Sequence, residues 1–328
     1  MRTAVAAVLV SLTLNGGCTA QGPARPARGE FWAFTAPWDP ASAASVARNS
    51  ARLDAVVTGW IALDSATGRP FVAAAYNDTQ GVAAGTWRFA IVTSWHNDRF
   101  HPRSVRALAG DEALLAQAAR WIAEHGAAGR YDGLVVDFEE LEPSDLAAQL
   151  RVIAAIRDSA RGRGVRSLAV AIPAGNAASY PARRLLEVAD FVLVMLYDQH
   201  WLGSQPGPIS EPGWVSRSLA ARVAEAGGPD RVVAGLPLYG YRWVRGAPTE
   251  IVSFEDAKRI AAESGAPLTR DARSFTLRAH RSPDWDMWVT DAELLRRLVS
   301  EAQRIGVRRF AFWRLGQEDP AMWEALSL

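Results

Sequence analysis

The sequence contains very little cysteine, little lysine and few long apolar runs. Cys18 is the only cysteine among 328 residues, so an intramolecular disulfide is impossible. Lys258 is the only lysine, and arginine carries nearly all of the positive charge. The formal net charge is +1, which gives no indication of a nucleic-acid partner or an anionic membrane partner. Beyond the amino terminus there is no apolar run of about eighteen residues, so we expect no spanning helix in the mature chain.

Several motifs for cofactors and nucleophiles are also missing. No Gly-x-Gly-x-x-Gly follows a first strand and no Gly-x4-Gly-Lys-Ser/Thr loop occurs, so nucleotide binding has no support. The histidines form no helical i, i+4 pair and no cluster with carboxylates, so we expect neither a metal site nor a cofactor. For His200, a hydrogen-bonding role is a better interpretation than catalysis. No convincing serine elbow or Cys–His pair is present.

The amino terminus has the pattern of an export signal. Arg2 precedes the apolar stretch Ala4–Leu14, which predicts a signal peptide over residues 1–17. The small residues before Cys18 resemble a bacterial lipoprotein cleavage site, although Asn15 stands where an aliphatic residue is usual. Two alternatives remain, a lipid on Cys18 or an ordinary signal peptide with an incidental cysteine. Residues 18–29 are rich in Pro, Ala, Gly and Arg and predict a flexible tether. We therefore expect an exported protein, either secreted or held at the cell envelope, with membrane contact only through Cys18.

Apolar segments of strand type alternate with helical ones through the rest of the chain. The predicted strands are Phe31–Thr35, Leu53–Ile61, Trp87–Thr93, Leu134–Val136, Ser167–Ile172, Phe191–Asp198, Arg231–Tyr239 and Val307–Trp313. The predicted helices are Ala41–Asn49, Asp111–His125 ending at Gly126, Ser144–Arg161, Ala182–Val188, Val215–Ala226 and Asp291–Ile305. This order predicts an α/β protein, a (β/α)8 TIM barrel over residues 30–328, with a small α+β insertion at about 240–290 after the seventh strand. A doubly wound open sheet is the alternative.

Polar and aromatic side chains follow several of these strands. In a barrel the carboxyl ends of the strands meet at one mouth, where the functional groups gather. The residues expected there are Asp137, Glu139, Tyr197, Asp198, Tyr239, Trp313, Trp38, Trp95, Trp201 and Trp243. Aromatic rings in such a groove are platforms for sugar faces, whereas in the core they only pack. Trp285 and Trp288, within the insertion, fit either reading.

The pair Asp137 and Glu139 is the strongest candidate for chemistry. Both follow the buried run Leu134–Val136, and residues two apart on a strand point to the same side, about 6.5 Å apart along the backbone. Repulsion and burial raise the pKa of one acid, which leaves the protonated group that a general acid requires. The alternative is a pair of carboxylates bound to arginines at a strand end. Glu140 and Glu142 are better interpreted as solvated loop charges.

Two acids on one side of a strand do not flank a sugar ring, as acid and nucleophile do in most glycosidases. A glycosidase built on them needs another nucleophile. A substrate with a 2-acetamido group supplies one, because its carbonyl oxygen attacks the anomeric carbon while Glu139 protonates the leaving oxygen. Asp137 would then orient the acetamido N–H.

Four motifs follow one another along the chain: Asp132–Glu139, Met195–His200, Gly235–Gly240 and Phe310–Gly316. The first is similar to the Asp-Gly-x-Asp-x-Asp-x-Glu signature of the family 18 glycoside hydrolases, the chitinase-like barrels. The other three are similar to the motifs of the family's sixth, seventh and eighth strands. The resemblance covers roughly Phe31 to the end and is greatest with the branch of spore-cortex and cell-wall N-acetylglucosaminidases.

The resemblance implies a role for each matching residue. Glu139 would be the proton donor, Asp137 the acetamido partner and Tyr197 a donor to the acetamido oxygen. It also implies that Asp198 contacts the sugar and that Trp313 forms the floor under the reacting ring. Met195, Tyr239 and Trp95, near strand ends at the predicted mouth, are further candidates for substrate binding. Asp132 matches an acid that gives structural support. The chain departs from the motif at Val135, where chitinases usually carry a middle aspartate, and we expect an altered pH profile rather than loss of activity.

The sequence thus predicts an exported glycosidase that hydrolyses β-linked N-acetylglucosamine glycans by substrate-assisted retaining catalysis. Its partner would be a polysaccharide or oligosaccharide containing N-acetylglucosamine. A carbohydrate-binding protein without turnover, on the same barrel, is the alternative. The enzyme is favoured because Glu139, Asp137 and Tyr197 are all present. Peptidoglycan, chitin oligomers and N-glycan cores all remain open as substrates.

Overall fold

The computed structural model describes residues 29–72 and 81–328. The predicted signal peptide, Cys18 and nearly all of the predicted tether lie outside the described residues, so these remain predictions. No helix within the described ranges has the length and apolar character needed to cross a membrane.

Eight parallel strands form a closed ring. They are Glu30–Phe34, Ala55–Leu63, Trp87–Thr93, Gly133–Asp137, Ser167–Pro173, Phe191–Met195, Val232–Pro237 and Arg309–Trp313. The first strand pairs with both the second (Ala33 opposite Val56) and the eighth (Trp32 opposite Ala311), which closes the sheet. The predicted (β/α)8 barrel is therefore confirmed, and the open doubly wound sheet is excluded.

Helices connect the strands on the outside of the ring. The α-helices are Pro40–Asn49, Pro102–Gly110, Glu112–Ala128, Leu146–Arg161, Ala182–Leu185, Pro212–Ala226, Phe254–Ser264, Ala292–Arg304 and Met322–Ala325. Short 3-10 turns occupy Ser50–Arg52, Pro143–Asp145 and Pro229–Arg231, and two-residue strands occupy Pro70–Phe71, Trp95–His96 and Arg99–Phe100. Pro70–Phe71 pairs antiparallel with the second barrel strand.

The period-two alternation of side chains divides the core into two layers. Leu134 and Val136 of the fourth strand point outward and pack in the layer between sheet and helices. Val135 points inward and packs with side chains such as Ile91 and Ala169 in the barrel interior. Because both faces of each strand are covered, the strands are almost continuously apolar, which is the pattern seen in the sequence.

Three aspartates join neighbouring strands at the amino-terminal end of the barrel. Asp132 immediately precedes the fourth strand; its backbone N–H donates to the carbonyl oxygen of Arg88 (2.7 Å), and its Oδ2 accepts from the N–H of Arg88 (2.9 Å). Asp54 and Asp190, before the second and sixth strands, make the same pair of bonds to the first and fifth strands. A side-chain acceptor thus replaces the ladder bond that is missing where these strands begin.

An insertion follows the seventh strand. It is an antiparallel sheet of Gly240–Val244, Glu250–Val252, Thr269–Arg270, Leu277–Arg281 and Trp285–Val289. Alternate residues such as Ala279 and Met287 pack against the helix Phe254–Ser264. The opposite face carries Tyr241 and Trp288, which cluster with side chains of the barrel mouth. The insertion therefore forms one side of the mouth, and the predicted α+β insertion after the seventh strand is confirmed.

Several predicted boundaries were wrong. The sixth strand ends at Met195 rather than Asp198, because Asp198 has a left-handed backbone (φ 59°) that ends regular pairing. The helix predicted to stop at Gly126 continues to Ala128, since Gly126 is buried against Val165 and continues the helix.

Candidate active site

Asp137 is the last residue of the fourth barrel strand and lies at the floor of the mouth. Its Oδ2 accepts a hydrogen bond from Thr93 Oγ1 (3.1 Å), and Thr93 Oγ1 in turn accepts from the backbone N–H of Trp95 (3.0 Å). Its Oδ1 is buried and receives no bond from an N–H or hydroxyl donor within the described ranges. Burial, only partly offset by the bond from Thr93, raises the pKa of Asp137 to about 6.

Glu139 lies two residues beyond, in the loop rather than on the strand. The strand ends at Asp137, so the prediction that both acids occupy one strand was wrong, yet the loop still brings the carboxyl groups into contact. Burial raises the pKa of Glu139 well above its ordinary value, and the negative charges of Asp137 and Asp198 raise it further. The hydrogen bond between the two acids raises the pKa of Glu139 and lowers that of Asp137. Of the two acids, Glu139 is therefore the one whose protonated form the site favours more strongly.

The salt-bridge alternative for this pair finds no support in the part of the chain that the structure describes. Within the described ranges no arginine forms an ion pair with Asp137 or Glu139, and the main causes of their pKa shifts include no arginine. A carboxyl pair without a cation is costly to bury, and such groups are a mark of functional sites. Glu140 is exposed, consistent with its interpretation as a loop charge.

Three tyrosines, Tyr197, Tyr239 and Tyr241, lie at the mouth around Asp198 and near the acid pair. Burial raises the pKa of Tyr197 well above its ordinary value, and the charges of Glu139 and Asp137 add to this shift, so its hydroxyl stays protonated and can donate. Asp198 Oδ1 accepts bonds from the hydroxyls of Tyr239 (2.5 Å) and Tyr241 (2.8 Å). Tyr239 itself is only 4% exposed, so it lies behind Asp198 and supports that carboxylate.

Tryptophans form a cleft on the other flank of the mouth. Trp313, at the end of the eighth strand, lies 6.3 Å from the ring of Trp60, and Trp60 lies 5.0 Å from Trp38. The side chain of Trp38 is 50% exposed and that of Trp95 is 39% exposed. A cavity of about 560 Å³ is lined by Trp38, Trp60, Ala62, Phe71, Trp95, His96, Asn97 and Asp98. Trp60 links this aromatic cleft to Trp313, so apolar rings extend from the cleft to the end of the eighth strand.

The structure accounts for the remaining predicted residues as follows. Met195 closes the sixth strand and packs in the barrel interior next to Tyr197 and Trp313. Val135 is fully buried below Asp137 among apolar side chains, so Asp137 has no ionisable partner beneath it on its own strand. Asp132 lies at the opposite end of the strand from the mouth, where it bonds backbone, as a supporting role requires.

The sequence did not single out four residues that the fold brings to the site. Thr93 donates a hydrogen bond to Asp137, and Tyr241 donates one to Asp198. Trp60 links Trp38 to Trp313, and the hydroxyl of Tyr180 accepts from the backbone N–H of Leu141 (2.9 Å) in the loop that carries Glu139. Thr93 could have been found, since it ends a predicted strand. Tyr180 lies far along the chain, and no local signal marks it.

With this geometry established, the chain can be compared with known proteins. No protein-family model matches the sequence. The chain is 25% identical over 253 residues to the cortical fragment-lytic enzyme of Bacillus subtilis, a match that covers 72% of this chain and 58% of that protein. The chain thus spans little more than half the length of this curated relative.

Solved structures are similar over nearly the whole chain. The spore cortex-lytic enzyme SleL of Bacillus cereus superimposes with a TM-score of 0.81 at 18% identity, covering 91% of this chain and 74% of that one. A chitinase of Chromobacterium violaceum gives a TM-score of 0.81 at 22% identity, covering 91% and 98%. The fold is therefore the barrel of these enzymes. The chain resembles the family 18, chitinase-like glycoside hydrolases and their cortex-lytic branch, as the four sequence motifs predicted.

Proposed function

We propose that the protein is a glycoside hydrolase that cleaves β-linked glycans containing N-acetylglucosamine. The observation that carries this proposal is the carboxyl pair at the mouth, where the pKa of Glu139 is raised well above its ordinary value and that of Asp137 to about 6, with Tyr197 nearby. The similarity to enzymes named as cortical fragment-lytic and as chitinase supports it. The site offers a proton donor and an anion on one side of the sugar, with an aromatic floor below it.

In the proposed first step, Glu139 transfers its proton to the glycosidic oxygen and the bond from that oxygen to the anomeric carbon breaks. The carbonyl oxygen of the substrate's acetamido group forms a new bond to the anomeric carbon, which closes a five-membered ring. The Asp137 carboxylate accepts the acetamido N–H and offsets the positive charge that develops there. Tyr197 donates to the acetamido oxygen, and Trp313 supports the sugar ring.

In the second step, the Glu139 carboxylate accepts a proton from water while that water attacks the anomeric carbon. The ring opens, the acetamido group is restored and the anomeric configuration is retained, since each step inverts it. Glu139 must therefore be protonated at the start, and its raised pKa favours this form.

The comparison of Glu139→Gln with Glu140→Gln tests the proposal. Both substitutions replace a glutamate by its isosteric amide, but Glu140 is exposed. With peptidoglycan and N-acetylglucosamine oligomers as substrates, we expect E139Q to lose activity by a factor of about 100 or more. E140Q should retain it. The preferred polymer would identify the substrate, and export, which the amino-terminal pattern predicts, would place the enzyme where peptidoglycan lies.

The binding-protein alternative makes a different prediction in the same experiment. If neither the wild type nor E139Q releases product, while both bind the oligomers with similar affinity, the barrel is a carbohydrate-binding module. Val135, in place of the middle aspartate, would then be the first position to examine for the loss of turnover.

A further inference from the structure

The loop that carries Glu139 is held at one point by a residue from a different part of the barrel. After Glu139 the chain passes through Glu140, whose backbone is left-handed (φ 58°), and reaches Leu141, which is 3% exposed. The N–H of Leu141 donates to the hydroxyl oxygen of Tyr180 at 2.9 Å. This bond lies two residues from the proposed proton donor.

Tyr180 is itself buried beside the acids. It is 2% exposed, and burial raises the pKa of its hydroxyl, with further contributions from the charges of Glu139 and Asp137. The Tyr180 hydroxyl therefore stays neutral over the pH range in which the enzyme would work. Without its oxygen, the N–H of Leu141 would lose its acceptor in a buried position, which the backbone can relieve only by moving.

The segment that carries Tyr180 is fixed by a buried arginine. Arg222, on the helix Pro212–Ala226, is 2% exposed. Its guanidinium donates to the carbonyl oxygens of Pro173 (2.7 Å), Ala174 (3.2 Å), Gly175 and Tyr180 (3.0 Å) and to Glu225 Oε2 (2.8 Å). These carbonyls lie at both ends of the segment 173–180.

Glu225 completes the attachment of this segment. Its Oε1 accepts from the N–H of Ala182 at 2.7 Å, two residues after the end of the segment, while its Oε2 pairs with Arg222. A buried guanidinium is retained at a cost in desolvation, and here every bond it makes within the described residues goes to this segment or to Glu225. The arginine fork is thus used to define one conformation of the segment that carries Tyr180.

We propose that Tyr180 is a positioning residue for Glu139 and that Arg222 acts on the same carboxyl group through Tyr180. This inference rests on the proposed function for its kinetic consequences. The chain of contacts runs from the guanidinium to the segment 173–180, then to the Tyr180 hydroxyl, the Leu141 N–H and the loop that holds Glu139. Neither Tyr180 nor Arg222 would contact the substrate.

The kinetic test uses Tyr180→Phe with Tyr131→Phe as the matched control. Tyr131 is also buried (4% exposed), but it precedes the fourth strand at the other end of the barrel. With N-acetylglucosamine oligomers, we expect Y180F to lower kcat roughly tenfold and to leave KM nearly unchanged. The high-pH limb of the kcat–pH profile of Y180F should move to lower pH, because a loosened loop exposes Glu139 to water and lowers its pKa. Arg222→Lys should lower kcat and move this limb in the same directions, but by smaller amounts.

A measurement that needs no turnover separates this inference from the proposed function. Nuclear magnetic resonance of carboxyl-labelled glutamate follows the titration of Glu139, assigned by its absence in E139Q. A lower Glu139 pKa in Y180F and R222K, with no change in Y131F, is the expected result, even if the wild type cleaves nothing. An unchanged Glu139 pKa and pH profile in Y180F, with a loss of thermal stability no different from that of Y131F, would overturn the proposal.

Discussion

The two ends of the fourth barrel strand carry acids in opposite environments. Asp132, before the strand, has its carboxylate on a backbone N–H of the neighbouring strand, as do Asp54 and Asp190 at the same end of the barrel. Asp137, at the other end, accepts a bond from Thr93 through one oxygen, while the other oxygen is buried without an N–H or hydroxyl donor among the described residues. At the first end a negative charge satisfies a donor, whereas at the second it is buried beside another acid.

The two acids of this strand therefore have opposite effects on the stability of the fold near neutral pH. A carboxylate on a backbone N–H is a charge-assisted bond that favours the folded state. A buried carboxyl with a raised pKa does the reverse near neutral pH, because the folded chain binds the proton more tightly than the unfolded chain. The acids at the amino-terminal end therefore contribute to stability, whereas the pair at the mouth lowers it near neutral pH.

The largest effect that would break this comparison comes from Asp137→Asn. We expect activity on N-acetylglucosamine oligomers to fall by about 100-fold or more, since the anion that faces the acetamido group is lost. We also expect the free energy of unfolding at pH 8 to rise by about 3 kcal/mol relative to the wild type, with little difference at pH 3.

The sign of that stability change follows from the pKa of Asp137, which is 3.8 in a model peptide and about 6 in the fold. Wild-type stability is lost as pH rises between these values, and the amide variant does not share the loss. Chemical denaturation at both pH values measures it. Asp158→Asn, an exposed aspartate, is the control. A destabilised D137N at pH 8 would contradict this account of the mouth.

The second effect is on stability at the other end. Asp132→Ala removes the acceptor for the N–H of Arg88, and we expect the free energy of unfolding to fall by about 1.5–3 kcal/mol. Asp54→Ala and Asp190→Ala should behave similarly, because they remove equivalent bonds. In all three variants kcat should remain close to that of the wild type. A loss of kcat in D132A comparable to that in D137N, with the fold intact, would show that the two ends are not separate.

The smallest effect is expected at Asp198. Two tyrosine hydroxyls donate to its Oδ1, so Tyr241→Phe leaves the bond from Tyr239 in place. One lost hydrogen bond of about 1 kcal/mol corresponds to a rise in KM of roughly fivefold, with kcat little changed. Steady-state kinetics beside Tyr239→Phe, and then the double variant, would show whether the hydroxyls act as a pair. A double variant with unchanged KM would remove Asp198 from substrate binding.

Much of the fold could be predicted because its signals are local. The inward and outward alternation of Leu134, Val135 and Val136 requires a strand covered on both faces, and the structure has it. Asp111 and Asp291 begin helices because their side chains accept from the N–H groups of Leu114 and Leu294.

Other elements were missed although their signals were present. Ser253 caps the helix Phe254–Ser264 through a bond to the N–H of Asp256, yet the broken rhythm of the insertion concealed this helix. The helix Pro102–Gly110 begins with proline at its first position, which is a normal start for a helix. Both helices therefore had local signals in the sequence.

By itself the sequence determined the ring of strands, the place of the insertion and the motifs Asp132–Glu139 and Met195–Asp198, because periodicity and motifs are properties of neighbouring residues. Only the tertiary structure decided that Glu139 contacts Asp137 from a loop and that Tyr241 bonds Asp198. It alone brought Arg222 to the segment of Tyr180 and Tyr180 to the loop of Glu139. The burial of a carboxyl group and the charges near it depend on every element that surrounds it. Those elements are tens of residues apart along the chain, and only folding brings them together.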